Sequence, residues 1–148
     1  RTAKQMGAAL AQIDSIKSQT EKKRYLVEAM APPGIEVIVG ARNDPSWGPV
    51  VLLGLGGTAA EVLEDVSMRL APFDKAEALA MIDELKSAAV FNGFRGAPET
   101  DKEALAAAIV AVGRIVLETT GIREIDLNPV RVFGKGHGIL ALDALIVV

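Results

Sequence analysis

Oxygen-bearing side chains interrupt two apolar stretches near the end of the chain. Asn128 lies between two such stretches, and Asp143 follows it after fifteen residues. If strands over Val130–Phe133 and Ile139–Val148 pair across the glycine-rich turn Gly134–Gly138, both side chains reach one edge of a sheet. Two or three protein oxygens, completed by waters and nucleotide phosphates, are the ligand set typical of Mg²⁺. The alternative is a turn in which Asn128 caps the backbone before a proline.

A glycine-rich stretch directly follows an apolar run. Gly54–Ala59 satisfies the pattern G-x-G-x-x-A, and Asp74 lies 20 residues beyond its first glycine, which is the spacing of a dinucleotide-binding fold. However, the preceding run Pro49–Leu55 is predicted as the second arm of a hairpin rather than the first strand of a parallel βαβ unit. Two other interpretations stay open. The glycines permit a tight turn, or the backbone of Gly56 and Gly57 approaches a nucleotide phosphate.

Two acids and one histidine are further candidates for chemistry. Glu28 and Glu36 flank a Pro-Pro-Gly bend, where carboxylates can accept hydrogen bonds from a ribose or an adenine amino group. Solvated acids without a function are equally common at strand edges. His137 is the only histidine, and it suits either a phosphohistidine or general base, or simply an exposed hairpin turn. The turn is the simpler interpretation, because a base needs a positioned partner.

Composition excludes several classes of function. The 148 residues are 50% hydrophobic and 24% charged, as in one ordinary globular domain. The absence of cysteine excludes disulfides, thiolate nucleophiles and cysteine-based metal sites, and it favours a reducing, cytoplasmic compartment. A net charge of -3 argues against nucleic acid as a partner. The longest apolar run, Ala104–Val112, is much shorter than the ~20 residues of a membrane span.

Periodicity and turn residues predict the elements that position these side chains. Helices are expected over Arg1–Ile16, behind a capping box of Asp74 and Glu77, and from a capping box of Thr100 and Glu103 to about Glu118, with Gly121 as C-cap. Strands are expected over Tyr25–Met30, Ile35–Arg42, Pro49–Leu55, Ile122–Leu127, Val130–Phe133 and Ile139–Val148. Before Leu70, Val62, Leu63 and Val66 suit a helix, whereas Val66, Met68 and Leu70 suit a strand, and a helical turn followed by a strand is favoured. The second and third strands are expected to form a hairpin with a long loop. Because Arg1 stands in place of Met and a helix is already under way there, the chain is expected to be a piece of a longer protein.

Three groups of motifs, in this order along the chain, carry a resemblance to a known family. They are Gly34–Gly40 with Asp44–Pro49, Gly54–Gly57 with Glu64–Pro72, and Glu124–Pro129 with Ala141–Ala144. Together with the loop Phe94–Gly96 before a capped helix, they resemble the ATP-grasp domain of the ADP-forming acyl-CoA synthetases, relatives of succinyl-CoA synthetase. The order of the motifs and the lengths between them agree with that family along nearly the whole chain.

The resemblance implies an α/β fold, the C-terminal part of an ATP-grasp domain, with a mainly antiparallel sheet and packed helices. Residues 1–33 are then the end of the lid lobe and the hinge, and residues 34–148 the C-terminal lobe. It also implies nucleotide contacts, which are the hinge backbone of Val27, Glu28, Ala29 and Met30 at the adenine edge and Glu36 at the ribose hydroxyls. Asn128 and Asp143 match the family's Mg²⁺ ligands, and Asp44, Arg69 and Arg95 are expected along the phosphate side of the cleft.

The implied parent reaction joins a carboxylic acid to CoA, with ATP converted to ADP and phosphate. The acid and CoA are expected to bind through missing domains, and the partners to be other domains or subunits of the same synthetase. The chain lacks the family's strand with the phosphate-binding lysine, its relay-histidine loop and its CoA-binding domain, so the chain alone is expected to be inactive. His137 matches no relay histidine. The alternatives are a regulatory ATP-grasp-like domain of a protein acetyltransferase and, with less support, an NAD-binding oxidoreductase.

Overall fold

A computed structural model describes residues 3–16, 24–56, 65–93 and 96–148. Its contacts divide the chain into two units, Arg1–Met30 and Ala31–Val148. In the described ranges, no helix has the length and apolar character needed to cross a membrane.

The first unit contains helix α1, Ala3–Ser15, as predicted. None of its described residues is buried. The Tyr25 hydroxyl donates a hydrogen bond to the Asp14 carboxylate, and this bond raises the pKa of Tyr25. The predicted strand Tyr25–Met30 is wrong, since these residues have no regular secondary structure and Leu26 is 82% exposed. An apolar run predicts a strand only where a second strand pairs with it.

The second unit is built on a six-stranded sheet in which every pairing of named strands is antiparallel. Its strands are β1 Ile35–Asp44, β2 Gly48–Leu55, β3 Val66–Leu70, β4 Glu124–Val132, β5 Ile139–Ala141 and β6 Ala144–Val147. The order is β3-β2-β1-β4-β5, and β6 also pairs with β4. Because β2 and β3 run antiparallel, the dinucleotide-fold interpretation is wrong: it requires a parallel βαβ unit at this place.

The β1–β2 hairpin closes more tightly than predicted. Pairing continues to Asp44 opposite Gly48, which leaves a short turn in place of the expected long loop. Asp44 Oδ1 accepts hydrogen bonds from the backbone amides of Ser46 (2.9 Å) and Trp47 (3.1 Å), and Gly48 adopts φ 80°. The Asp44 side chain thus stabilises a short turn, because it accepts hydrogen bonds from the backbone amides two and three residues later.

Helix α2 spans Lys75–Glu84, and its N-cap is the predicted one. The Asp74 carboxylate accepts a hydrogen bond from the Glu77 amide at 2.9 Å. The buried carboxylate of Asp65 connects the start of β3 to the end of α2, because it accepts hydrogen bonds from the amides of Lys86 (2.7 Å) and Ser87 (2.9 Å). Burial raises the pKa of Asp65, but these hydrogen bonds outweigh burial and the net pKa is lowered.

A short 3₁₀ helix, Ala88–Asn92, leads to helix α3, Lys102–Glu118. The capping box predicted at Thr100 is wrong by one residue, because Asp101 is the N-cap and accepts from the Ala104 amide at 3.1 Å. Thr100 instead donates its hydroxyl to the Phe91 carbonyl at 3.2 Å. The predicted C-cap is also wrong: α3 ends at Glu118 with Thr119 as its C-cap, two residues before Gly121.

Helices α2 and α3 pack on one face of the sheet, which we call the helix face. The core lies between these helices and the sheet. It includes Val37, Val39, Val51, Leu53, Met81, Ile82, Phe91, Leu105, Ile109, Ile125, Val130 and Val132. Alternate residues of the same strands point to the opposite side, which we call the open face. The closing strands differ from those predicted. Residues 124–132 form one continuous strand, and the predicted strand Ile139–Val148 is divided at Leu142 and Asp143.

Candidate functional site

A groove of about 590 Å³ lies on the open face. Its walls come from β1, β2, β3 and β4, whose open-face residues alternate with core residues. The lining residues are Ile38, Gly40, Ala41, Arg42, Asp44, Val50, Leu52, Met68, Glu124, Ile125, Asp126 and Asn128. The groove therefore has an apolar centre and acidic and amide groups at the β4 side.

The structure brings Asn128 and Asp143 together. The backbone N–H of Asn128 donates a hydrogen bond to the backbone carbonyl of Asp143 at 3.2 Å. The cause is the sheet pairing on either side, because Val130 pairs with Ala141 and Leu127 pairs with Ala144. The Asp143 carboxylate is held in turn by the Ala144 amide, which donates to its Oδ1 at 2.8 Å. The predicted proximity of these two residues is confirmed, and their metal-binding role stays a prediction.

Asp126 joins this pair, although the sequence analysis did not assign it a role. It lies two residues before Asn128 on the same side of β4 and lines the groove. Burial raises the pKa of Asp126, and the nearby charges of Glu124 and Asp143 raise it further. The period of two in a strand is the signal that identifies this residue, since 124, 126 and 128 share one face. Asp126 and Asn128 thus line the groove, and Asp143 lies beside them, since its backbone bonds to Asn128 and its charge affects Asp126.

These donors can hold a divalent cation only with help from a ligand or from water. Among the described residues, no group of three or more His, Asp and Glu side chains is placed so that it could hold a metal ion by itself. In the same described part of the chain, Asp126 and Asp143 take part in no ion pair. Two carboxylates and one amide form a partial oxygen set, which suits Mg²⁺ because this ion usually keeps several waters or phosphate oxygens.

Asp44 lies in the groove wall, and its expected place along the phosphate side of the cleft stays a prediction. The Ser46 and Trp47 amides, together with Arg42 at 3.3 Å, hold the pKa of Asp44 below its ordinary value. Its carboxylate therefore stays ionised through the hydrogen bonds of the hairpin turn.

Arg69 does not reach the groove. Its guanidinium binds Glu77 and Glu84 of α2 at 2.5 Å each, and both ion pairs raise its pKa. Arg69 belongs to β3 one residue after Met68, which lines the groove, so strand alternation turns Arg69 to the helix face. The expectation that Arg69 lines the phosphate side is wrong for this reason.

Glu36 lies at the other end of the open face, opposite Arg131 in the β1–β4 ladder. The two side chains form an ion pair. The Gly56 amide donates to the Glu36 carbonyl at 2.7 Å, so this N–H is already used and cannot also approach a phosphate. Whether Gly56 contacts a nucleotide through another atom stays a prediction. Gly57 and Arg95 lie outside the described residues.

The remaining predicted positions lie away from the groove residues in sequence. Val27, Glu28, Ala29 and Met30 belong to the first unit, where they are exposed and lack regular secondary structure. Their contact with adenine stays a prediction. His137 lies exposed in the turn before β5, with Nδ1 at 3.2 Å from the Lys135 carbonyl oxygen, so the hairpin-turn interpretation is confirmed.

Comparison with known proteins gives consistent matches. Residues 1–148 match the ATP-grasp domain family. The chain is 50% identical over 123 residues to a trans-feruloyl-CoA synthase from an unknown prokaryotic organism, covering 83% of this chain and 17% of that protein. It is 46% identical over 119 residues to the beta subunit of ADP-forming acetate–CoA ligase I from Pyrococcus furiosus, covering 80% of this chain and 50% of that subunit.

Solved structures agree with the sequence matches. Acetyl-coenzyme A synthetase 1 of Ca. Korarchaeum cryptofilum, in complex with coenzyme A and Mg-AMPPCP, superposes with a TM-score of 0.75 at 45% identity. The match covers 80% of this chain and 55% of that one. The chain thus spans about half or less of the length of these relatives. An α/β fold with a mainly antiparallel sheet is confirmed.

Proposed function

This chain belongs to the ATP-grasp domain family, and from that premise we propose that it is the ATP-binding part of an ADP-forming acyl-CoA synthetase. The relatives named above act on acetate or form feruloyl-CoA, which supports a carboxylic acid, CoA and ATP as the substrates of the whole protein. The observation that carries the proposal is the closeness of Asp143 to Asn128 and Asp126, two residues that line the open-face groove.

Asn128 and Asp143 are proposed to hold Mg²⁺, with Asp126 beside them. The proposal is supported by charge: burial raises the pKa of Asp126, and the nearby charges of Glu124 and Asp143 add to this effect. A divalent cation relieves the repulsion among these charges, and nucleotide phosphates complete the oxygen ligands that this incomplete protein set requires. When bound, Mg²⁺ supplies charge neutralisation for the phosphates in phosphoryl transfer.

The nucleoside is proposed to bind toward the other end of the open face. The Glu36 side chain is one-third exposed, so its carboxylate has room to accept hydrogen bonds from ribose hydroxyls. The backbone of Val27, Glu28, Ala29 and Met30 is proposed to meet the adenine edge. Ile38 and Leu52 form an apolar stretch of groove wall that excludes water from the phosphates.

Other parts of the protein are proposed to complete the reaction. Recognition of the acid and of CoA is assigned to further domains or subunits, since the matched part covers only 17% and 50% of these relatives. The chain alone is proposed to be inactive, and the whole protein to work in the cytoplasm.

The test uses the natural protein that carries this chain. Acyl-CoA formation from acid, CoA and ATP is measured against Mg²⁺ concentration for the wild type and for the variants Asn128→Ala and Asp143→Ala. Loss of a metal ligand is expected to lower kcat/KM by about 100-fold, because metal stabilisation of phosphoryl transfer is worth several kcal/mol. Asp83→Ala is the matched control, since Asp83 is an exposed acid of α2 paired with Lys102.

The outcomes separate the candidate functions. Normal Mg²⁺ dependence in both ligand variants would place the metal elsewhere. A wild-type protein that binds Mg-ATP but makes no acyl-CoA, and that transfers acetyl groups to protein, would identify a regulatory domain instead. NAD⁺ is expected to show no saturable binding.

A further inference from the structure

Arg131 connects three groups that are separate in the sequence. Its guanidinium pairs with the Glu36 carboxylate and donates to the backbone carbonyls of Ala31 (3.3 Å) and Pro32 (3.0 Å). One side chain therefore joins the segment before β1 to the acid on β1. A planar guanidinium suits this task because its donors form a rigid fork.

Glycines permit this arrangement from two sides. A Cβ at Gly34 would lie 2.6 Å from the Val132 carbonyl oxygen and 2.7 Å from the Cγ of Arg131. A Cβ at Gly56 would lie 2.9 Å from the carbonyl carbon and oxygen of Glu36. The backbone of Glu36 is thus fixed by Gly56 while its side chain is fixed by Arg131, and each position requires a residue without a Cβ.

The Arg131 side chain is 19% exposed and that of Glu36 is 33% exposed. The pair is partly withdrawn from water, so an opposite-charge contact across the strands is screened less than at a fully exposed site. The bond to Arg131 uses the Oε1 atom of Glu36. Among the described residues, no hydrogen bond reaches the second carboxylate oxygen, Oε2, which can therefore accept one from a ligand.

We propose that Arg131 is a positioning residue for nucleotide binding: it orients Glu36 toward the ribose hydroxyls and fixes the Ala31–Pro32 segment against the same carboxylate. This inference rests on the proposed function, because it takes ATP as the ligand. Arg131 also neutralises Glu36, so a carboxylate stands near a polyphosphate ligand without adding net negative charge. Because Glu36 is already held in its binding orientation before the nucleotide arrives, less conformational entropy is lost on binding.

The test measures equilibrium binding of two probes, Mg-ATP and Mg-2′,3′-dideoxy-ATP, to the natural protein that carries this chain. The wild type is expected to prefer ATP by at least about tenfold, because hydrogen bonds to a charged group contribute 1.5–3 kcal/mol. Arg131→Met keeps the aliphatic stem and removes the fork. This variant is expected to bind ATP about tenfold more weakly and dideoxy-ATP almost as well as the wild type, so the preference is lost.

Three further variants sharpen the result. Glu36→Gln is expected to abolish the preference as well, and the double variant to add little to either single change. Arg131→Lys is expected to restore the preference only in part, because one ammonium cannot reach three acceptors in the same way. Arg114→Met is the matched control, since Arg114 is an exposed arginine on α3.

Each outcome bears on a different claim. Equal weakening of both probes by Arg131→Met would show a purely structural role and overturn the inference, as would a retained preference for ATP. If Arg131→Met fails to fold, the Arg131→Lys and Glu36→Gln proteins still decide the matter through the same ratio. If the wild type binds neither probe, the proposed function itself is contradicted. If the wild type binds both probes equally, only the present inference is contradicted.

Discussion

The two faces of the sheet treat charge in opposite ways. On the helix face, Arg69 lies between Glu77 and Glu84, so its charge is matched within the protein. On the open face, Asp126 lies near Glu124 and Asp143, and the pKa of Asp126 is raised. A fold selected only for stability has no reason to gather like charges. The helix face thus matches its charges within the protein, whereas like charges lie close together on the open face, as the proposed Mg²⁺ site would require.

Apolar side chains follow the same division. Leu53 on the helix face is completely buried, whereas its neighbour Leu52 on the open face is only partly buried and lines the groove. The two leucines share one strand and differ in the side to which they point. Their alanine variants therefore compare how much a leucine on each face contributes to the free energy of unfolding.

The largest effect is expected for Leu53→Ala. Loss of a fully buried leucine is expected to lower the free energy of unfolding by about 3 kcal/mol, through lost burial and the cavity that remains. Leu52→Ala is expected to cost less than about 1 kcal/mol, because its site is partly open to water. Urea denaturation of the chain followed by circular dichroism checks both values. Equal costs for the two variants would contradict the division between the faces.

Asp101, the N-cap of α3, is expected to differ from Asp126 in its effect on the free energy of unfolding. Asp101 accepts hydrogen bonds from the amides of Gly138 (2.8 Å) and Ala104 (3.1 Å), and these bonds lower its pKa. Asp101→Ala is expected to cost about 2 kcal/mol, since a cap is lost and a part-buried donor is left without its acceptor.

The pH dependence of this effect has a definite sign. A lowered pKa means that the ionised Asp101 stabilises the fold at pH values above the ordinary carboxyl range, and that this stabilisation is lost as pH falls through the lowered pKa. The cost of Asp101→Ala, measured by denaturation at several pH values, should therefore shrink in acid. A cost that does not change with pH would contradict the role of the ionised carboxylate.

A smaller effect is expected for Arg69→Met. Both partner glutamates are about half exposed, so solvent screening limits the loss to about 1 kcal/mol. The control Arg114→Met removes a more exposed arginine that lies 3.7 Å from Glu118, and its effect is expected to be close to zero. Thermal denaturation of both variants tests the comparison, and ATP affinity measured in the natural protein should be unchanged by Arg69→Met.

The smallest effect has the opposite sign. Asp126→Asn is expected to raise the free energy of unfolding by a few tenths of a kcal/mol without Mg²⁺, because one of three clustered acids loses its charge. A raised pKa means that ionised Asp126 destabilises the fold as pH rises through that pKa, so the gain should appear near neutral pH and vanish in acid. Denaturation at neutral pH and at acidic pH measures this gain in the free energy of unfolding. A loss of stability at neutral pH would contradict the charge argument.

Strand periodicity and capping rules predicted much of this fold. Val66–Leu70 and the Asp74 cap follow from local pattern, and the proximity of Asn128 and Asp143 follows from one correct hairpin. Local pattern could not place Tyr25–Met30, because a strand depends on a partner elsewhere in the chain. It could not choose between Thr100 and Asp101 either, since both are good N-caps and the bridge from Thr100 to Gly134 decides between them.

The candidate site was harder to predict than the fold. Arg69 lies in a motif of the family, and only the side on which β3 places it shows that it serves the helices. Asp126 was available from strand alternation, but its significance depends on the closeness of Asp143, which pairing across β4 creates. The contact of Arg131 with Glu36 joins positions 95 residues apart, and no short-range pattern signals it.

The division of the last strand at Leu142 and Asp143 limits how this sheet can vary in length. Strands β5 and β6 both pair with β4, one on each side of the break. The two-residue link between them must therefore keep its length. One residue added or removed there would exchange the side chains that face each way. The Gly134–Gly138 turn is restricted in a different way, because Gly138 donates to the Asp101 carboxylate and Gly134 bridges to Thr100. Related chains should therefore agree in length at the link.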